Sequence, residues 1–553
     1  MPHPKQHITD LAAICKKRNI KHIVISPGSR SAPLIKAFYE LFGDNCISIV
    51  DERSAAYFAL GISAHQRTPA VIICTSGTAV LNYAPAIAEA YYQEIPLLVV
   101  TADRPREWID QQDNQTLHQN GIYNGYIRSS FELPQYIATD EDLWYTHRCV
   151  NDAINICTGN VNGPVHINVP LTEPLYDTLP SPSDVKIIQA SSAALQVKLP
   201  DELINAWNRA AKIMIIHGQD FPGSETIKYI KALAADPRVV VIAENISNIP
   251  DPAVIQNSNL ILSVSRGKSP EYPDLILHSG GQVVSKALTG YLRRAGKTAC
   301  WRIGPGDKVI DTFKLANGFI PYPAAVVYKM LKKSVSRDAE SYSLAWHKRR
   351  DEALKKALKR FSEMTFTDSL VFKNILMSIS DGANVILGNS SVIRYSQLLP
   401  VNPKAQYYSN RGVSGIDGSI STAAGIAYAS KNLTIAIVGD LGFLYDSNGL
   451  WNRELPANLR IVVVNNLGGG IFHIIKGPSE HPGFKKFIEA NHPVNIAKLA
   501  EAYGLKYLFA ADEKTLAVQW QSLTGRQKTA TILEIRTDAV ASAAAFRNLM
   551  LPS

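Results

Sequence analysis

Short runs of Val, Ile and Leu, almost unbroken and each ending in small, polar or charged residues, recur along this chain with helix-like sequence between them. Through residue 170 they are IKHIVISPGS (20–29), CISIVDER (46–53), PAVIICTSG (69–77), EIPLLVVTADRP (94–105) and GPVHINVP (163–170). A strand with one wet face would alternate apolar and polar residues. Continuous runs of strand length suit strands covered on both faces, as in a parallel sheet between two helical layers. In open sheets of that kind ligands bind beyond the carboxyl ends of the strands. That is where each of these runs turns polar.

The pattern breaks at 171–200, where Pro174, Pro180, Pro182 and Pro200 read as a linker. It resumes with AKIMIIHG (211–218), RVVVIAEN (238–245), NLILSV (259–264), PDLILHSG (273–280) and ACWRIG (299–304). A third set follows: NVILGNSS (384–391), LTIAIVGD (433–440), LRIVVVNN (459–466) and TATILEIRTD (529–538). At 553 residues the chain exceeds what one hydrophobic core supports. The expectation is an α/β protein of three consecutive doubly wound parallel-sheet domains, at 1–180, 200–330 and 350–553. No short-period repeat competes with it.

Composition removes several classes. A hydrophobic share of 46% with 19% charged residues is a globular balance, not a disordered one. No apolar run reaches the roughly 18 residues of a membrane span. The N-terminal stretch is interrupted by Asp10, Lys16, Lys17 and Arg18, so no secretory signal is expected. Six scattered cysteines without CxxC spacing read as reduced thiols in a cytoplasmic protein. The net charge of +9 is compatible with nucleic acid or with acidic small molecules. Its densest run, His347 to Arg350 with Lys355, Lys356, Lys359 and Arg360, lies on a helical pattern backed by Leu354, Ala357 and Leu358. Without interleaved aromatics to stack bases, it reads as a solvated helix face.

The sharpest chemistry lies in LTIAIVGDLGFLYDSNGLWNRELPANLRIVVVNNLGGGIF (433–472). Two buried-type strands end in Gly439-Asp440 and Asn465-Asn466, and parallel neighbours would bring both ends to one sheet edge. A carboxylate and an amide carbonyl there are hard oxygen ligands, suited to Mg²⁺ or Ca²⁺. Gly468, Gly469 and Gly470 follow, letting the backbone approach a phosphate and lend a carbonyl. Asp440 by itself would serve equally as a helix cap. Asn466 in the partner position, with the glycines behind it, favours the cation.

Two further groups stand at strand ends. CISIVDER closes on two acids, and periodicity does not choose between Asp51 and Glu52; an ion pair with Arg53 is the plain alternative. A buried carboxylate there would have a raised pKa. Ser29 and Arg30 (SPGSRSAPL), Arg104 (TADRP), Asn114 and Gln115 (DQQDNQT), Ser390 and Arg394 (GNSSVIR), Arg411 (SNRG) and Lys286 (GGQVVSKAL) form the second group. Guanidinium forks bind carboxylates bidentately, so arginines in several strand-end loops suit a substrate with more than one carboxylate.

The pairing of Gly439-Asp440-Leu441 with Asn465-Asn466, with Asp440 and Asn466 separated by 26 positions, resembles the cofactor motif of thiamine-diphosphate enzymes. That motif is a GDG followed by NN, and Leu441 departs from its third glycine. PGSRS, DER, TSGT, TADRP, DNQ, GNSSVIR, SNRGVSGIDG, GDL and NNLGGGIF recur in order, and they look like the branch of the family that serves menaquinone biosynthesis. The resemblance implies thiamine diphosphate held through Mg²⁺ (or Mn²⁺), with Asp440, the Asn466 side chain and the Gly468 carbonyl as metal ligands. It implies Asn389, Ser414, Gly439, Ile471 and Phe472 around the cofactor, and Ile416 beneath it. It selects Glu52 as the glutamate on the aminopyrimidine ring. Ser29, Arg30, Arg104, Asn114, Gln115, Lys286, Ser390, Arg394 and Arg411 would then serve the substrates, Lys286 coming from the weakly matching middle block. The implied substrates are the dicarboxylates 2-oxoglutarate and isochorismate, and the implied assembly is a homodimer or dimer of dimers with shared active sites. No nucleic-acid or membrane partner is expected.

The alternative within the family is an acetolactate-synthase-like enzyme or another 2-oxoacid decarboxylase. A flavin in the middle domain would mark the first, and the His-His pair expected of a pyruvate-type decarboxylase does not occur. No strand is followed by GxGxxG, which argues against a nicotinamide oxidoreductase.

Overall fold

The computed structural model describes residues 3–190, 197–249, 251–265, 270–306, 308–331, 342–475 and 477–551. Its strands form three six-stranded, all-parallel sheets with helices between them. The first contains β1 (Ile23–Ile25), β2 (Cys46–Ser48), β3 (Ala70–Cys74), β4 (Leu97–Asp103), β5 (Ser129–Glu132) and β6 (Pro164–Pro170). The second contains β7 (Ile213–His217), β8 (Val239–Ala243), β9 (Val254–Ile255), β10 (Leu275–Ser279), β11 (Ala299–Ile303) and β12 (Ala316–Ile320). The third contains β13 (Asn384–Leu387), β14 (Gln406–Tyr408), β15 (Thr434–Gly439), β16 (Leu459–Asn465), β17 (Lys506–Ala510) and β18 (Thr531–Arg536). Every residue of β3, β4, β6 and β16 is buried, as unbroken apolar runs require.

The first sheet runs β2-β1-β3-β4-β6-β5 and the third β14-β13-β15-β16-β18-β17, the same order when each set is counted from its own start. The second runs β12-β11-β10-β7-β8-β9, reversing between β7 and β10. In the first and third sheets the reversal falls between the first and third strands. Doubly wound sheets open a crevice at such a point, at the carboxyl ends of the strands. β13 leads there into Asn389 and β15 into Asp440.

Two readings from sequence change. NLILSV (259–264) is not a strand but the helix Ser258–Val264. Six residues, four of them apolar, are too few for periodicity to separate the two forms, and β9, just before it, takes the edge position. In CISIVDER the strand ends at Ser48; Asp51 is the N-cap and Glu52 the first residue of the helix Glu52–Gln66.

Residues 1–194, 410–431 and 445–459 cluster as one compact unit, and 195–409, 432–444 and 460–553 as a second. In the first unit the helices Glu52–Gln66 and Ser419–Ala429 cross at two glycines. A Cβ on Gly61 would fall on the Thr422 carbonyl oxygen, and one on Gly425 on the Phe58 carbonyl oxygen. The Pro-rich stretch is no loose tether where described. Asp10 accepts from Ser183 N and Oγ at 2.7 and 2.6 Å, and Asn151 bonds Lys186 O and Ile188 N at 2.9 and 2.8 Å. Residues 191–196 of it lie outside the described residues.

In the second unit, alternate residues of the middle strands face two cores. Ile213, Ile215, Val239 and Val241 enter one. Met214, Ile216, Val240 and Ile242 enter another that continues through Val385, Leu387, Ile435 and Ile437 of the third sheet. The basic helix Tyr342–Ser362 buries Trp346, Ala353, Ala357 and Phe361 there and leaves Lys355, Lys356 and Lys359 exposed. No helix among the described residues is long and apolar enough to cross a membrane.

Candidate active site

At the reversal point of the third sheet β15 ends at Gly439, and Asp440 opens the helix Asp440–Tyr445, 2% exposed. Asp440 Oδ1 accepts from the Leu441 amide at 2.8 Å. Its Oδ2 accepts from the Gly468 amide at 2.7 Å and lies 3.2 Å from His492 Nε2. The neighbouring β16 ends at Asn465, whose side chain takes the Leu467 amide at 3.0 Å and donates to Glu534 at 2.9 Å, closing the turn. Gly468 follows at φ +152°, a conformation open chiefly to glycine.

Asn466 is the informative residue. Its Nδ2 donates to Asp368 Oδ2 at 3.1 Å, and Thr537 donates to Asp368 Oδ1 at 2.6 Å. A carboxylate that accepts on both oxygens can take only the amide nitrogen, so the Asn466 carbonyl is turned the other way. That Oδ1 is buried without a partner. An unsatisfied buried acceptor costs about 1–3 kcal/mol, and a hard cation satisfies it. Burial pushes the Asp368 carboxyl up to about 6, against the hydrogen bonds it accepts. Among the described residues no three His, Cys, Asp or Glu side chains form a ready metal cage. Any cation here is held by mixed oxygens: the Asp440 carboxylate, the Asn466 amide and the backbone. These fit Mg²⁺ and the metal-bridged diphosphate that the motif implies.

Other candidates surround the same sheet edge. Asn389 is buried beyond β13, and Ser390 opens the helix Ser391–Tyr395 at φ +65°. Arg394 Nη1 donates to the Ser390 carbonyl at 2.5 Å, half-buried, and burial lowers its pKa. Ile471 is buried and Phe472 half-buried in the helix Ile471–Ile474. Lys286, first residue of the helix Lys286–Leu292 after β10, is exposed, and no described contact joins it to the other candidates.

The first unit holds the remaining residues. Asp51 Oδ1 accepts from the Ser54 amide and Oδ2 from Asn448 Nδ2, both at 2.8 Å, so Asp51 is a capping residue. Glu52 keeps its carboxyl half-buried, and burial raises its pKa, with the Asp51 charge adding to the rise. The structure thereby separates two acids that periodicity does not. Arg30 is buried, pairs with Glu173 at 2.9 Å and donates to the Leu171 carbonyl at 3.0 Å. Arg104 lies 3.4 Å from Asp113, and the two guanidiniums sense each other's charge. Ser29, Asn114 and Gln115 are exposed in the adjoining loops, Gln115 at φ +55°.

Arg411, Ser414 and Ile416 sit on a loop that is pinned from below. The buried Glu89 takes the Gly412 and Val413 amides at 2.5 and 2.7 Å, and Tyr57 donates to Asp417 at 2.7 Å. Ile416 is 38% exposed, an apolar side chain left uncovered on that loop. Glu89, Asp368, Asn448 and His492 escape a reading by motif. Each acts on its target across more than twenty positions of sequence, and none has a composition signal of its own.

Residues 8–122 match a family model described as thiamine pyrophosphate enzyme, N-terminal TPP binding domain. Residues 387–535 match one described as thiamine pyrophosphate enzyme, C-terminal TPP binding domain. Similar curated proteins named 2-succinyl-5-enolpyruvyl-6-hydroxy-3-cyclohexene-1-carboxylate synthase occur in several bacteria. That of Desulfotalea psychrophila is 40% identical over 91% of this chain and 93% of its own length. That of Flavobacterium psychrophilum is 38% identical over 97% of each. That of Bacteroides fragilis is 36% identical over 94% of this chain and 93% of its own length. With both cofactor domains matched and relatives similar along almost the whole length, the chain belongs to the thiamine-pyrophosphate enzymes and, among them, to the 2-succinyl-5-enolpyruvyl-6-hydroxy-3-cyclohexene-1-carboxylate synthase family.

Proposed function

We propose that this chain uses thiamine diphosphate and Mg²⁺ (or Mn²⁺) to decarboxylate 2-oxoglutarate and adds the remaining four-carbon unit to isochorismate in conjugate fashion. One carboxylate leaves as CO₂, a carbon–carbon bond forms, and the product is 2-succinyl-5-enolpyruvyl-6-hydroxy-3-cyclohexene-1-carboxylate. The observation that carries this reading is the buried, partnerless Asn466 carbonyl at the edge where Asp440 follows its strand. It stands in a chain whose relatives are named for this product.

When bound, the cofactor supplies a carbon nucleophile and an electron sink for decarboxylation. The residues' own work is then electrostatic and positional. Asp440, Asn466 and the Gly468 carbonyl would hold the metal, which neutralises diphosphate charge. Asn389, Ser414, Gly439, Ile471 and Phe472 would line the cofactor, and Ile416 would give it apolar support. Glu52, whose carboxyl burial shifts up, would hydrogen-bond the aminopyrimidine ring. Arg30, Arg104, Arg394, Arg411 and Lys286 neutralise substrate carboxylates, while Ser29, Asn114, Gln115 and Ser390 offer hydrogen bonds. Arg30 and Arg104 already face Glu173 and Asp113, so substrate binding exchanges one carboxylate partner for another.

The same reading takes 1–180 as the pyrimidine domain, 200–330 as the central domain and 350–553 as the diphosphate domain. It includes a cytoplasmic homodimer, or dimer of dimers, with sites shared between subunits. The test is mass spectrometry of the products formed from 2-oxoglutarate and isochorismate with thiamine diphosphate and Mg²⁺. The expected result is the joined product together with CO₂. Release of CO₂ with no joined product, or a flavin copurifying with the protein, would overturn the assignment.

A further inference from the structure

We infer that His492 is a positioning residue of the cation site: its neutral imidazole fixes the Asp440 carboxylate so that Oδ1 is the oxygen left for the metal. The inference rests on Asp440 being a metal ligand. His492 lies in the segment after Phe484–Glu489 and is almost fully covered, its side chain 10% exposed. Nδ1 accepts from the Val494 amide at 3.3 Å. A ring nitrogen that accepts carries no hydrogen, so in the neutral ring the proton is on Nε2 and donates to Asp440 Oδ2 at 3.2 Å. No charge on the histidine is needed.

Asp440 Oδ2 therefore has two N–H donors, His492 and the Gly468 amide at 2.7 Å. Two donors match the two lone pairs of that oxygen. Oδ1 has one donor, the Leu441 amide at 2.8 Å, and keeps a lone pair. The histidine is itself held against the glycine loop. Asn491 Nδ2 donates to the Leu467 carbonyl at 2.9 Å, and the Gly469 amide donates to the Glu489 carbonyl at 2.6 Å. His473 faces the Glu489 carboxylate at 2.7 Å. Carboxylate, glycine loop and histidine are thus tied together by hydrogen bonds. An imidazole is a poor ligand for Mg²⁺, which favours oxygen. The role that fits is orientation of a ligand, and outer partners of this sort govern metal affinity.

The experiment is calorimetry of thiamine diphosphate binding to the full chain across a Mg²⁺ series, with melting in the absence of metal as control. The variants are His492→Leu, which keeps bulk without a donor, and His492→Gln, whose amide can replace the Nε2–H. His492→Leu should raise the Mg²⁺ needed for half-maximal cofactor binding about tenfold. His492→Gln should restore most of that loss. An unchanged or lower Mg²⁺ requirement in His492→Leu overturns the inference, as does a His492→Gln no better than His492→Leu. Should the Leu variant not fold, a His492→Gln requirement shifted about tenfold overturns it and one close to wild type supports it. Asp440→Ala run alongside separates the two levels: wild-type Mg²⁺ dependence there overturns the metal assignment itself.

Discussion

Asn448 Nδ2 stands 2.8 Å from Asp51 Oδ2 while Asp51 Oδ1 takes the Ser54 amide, so of two adjacent acids the first is committed to the helix start. Glu52 has no side-chain donor among the described residues. Asp51→Ala should therefore lower stability by about 1 kcal/mol, the usual worth of an N-cap, and leave much of the turnover. Glu52→Gln should fold normally and lose at least about 100-fold in kcat. Thermal melting and steady-state kinetics on both variants distinguish the roles.

Glu52 also makes a pH prediction. Burial raises its pKa above the ordinary 4.5, with Asp51 adding to the rise and its own backbone amide opposing it. A carboxyl raised in the folded state destabilises only where it is ionised. The cost is absent below the ordinary value and complete above the raised one. Glu52→Gln removes it. The variant should melt above wild type near about pH 8, and the gap should close as the pH falls to about 4. A melting series across that range checks the sign.

Asp440→Ala should abolish activity by removing a metal ligand, with cofactor affinity lost in consequence. Calorimetry with and without Mg²⁺ is the measurement. The metal-dependent part of the affinity should vanish.

Arg394→Lys and Arg411→Lys should weaken use of the dicarboxylates far more than they disturb folding. An ammonium keeps the charge but not the planar fork, a loss of about 1.5–3 kcal/mol per charged hydrogen bond. Steady-state kinetics on each substrate, with melting temperature as control, shows whether the loss falls on one substrate or both.

A shared site predicts complementation. If Glu52 of one subunit serves the cofactor held by Asp440 of another, then Glu52→Gln and Asp440→Ala subunits, each inactive alone, should regain activity when mixed. With random pairing half the dimers are mixed and one site in each is whole, so about a quarter of wild-type activity should return. An assay of the unfractionated mixture measures that quarter, and the mixed dimer purified through two affinity tags should carry about half of wild-type activity.

The fold was legible wherever strands are buried on both faces: β3 has no polar residue, and β4 and β16 each keep four consecutive apolar residues. The edge strands β5, β12 and β17 were not legible, since their faces are half-wet and their apolar content is interrupted. The central strand-end motif, Asp440 with Asn466, was readable because both ligands follow buried strands directly. Asp368 and His492 were not, because what they do depends on a fold that brings them back to those strand ends from far along the chain. Glu52 was half-legible. The acids were visible, but the Ser54 amide assigns Asp51 to capping and Asn448, from far along the chain, takes its second oxygen.

At the Gly61–Gly425 crossing each glycine lies against a backbone carbonyl of the other helix. Ordinary helix pairs take up a substitution by re-settling side chains between them, but at these two positions the neighbour is main chain, which cannot re-settle. One helix begins at Glu52, and the other follows the loop that carries Arg411 and Ile416. The spacing of these functional groups is therefore fixed as if machined. The surrounding helical faces can drift in sequence without moving them, whereas a single methyl at either glycine would wedge the Glu52 helix away from its neighbour.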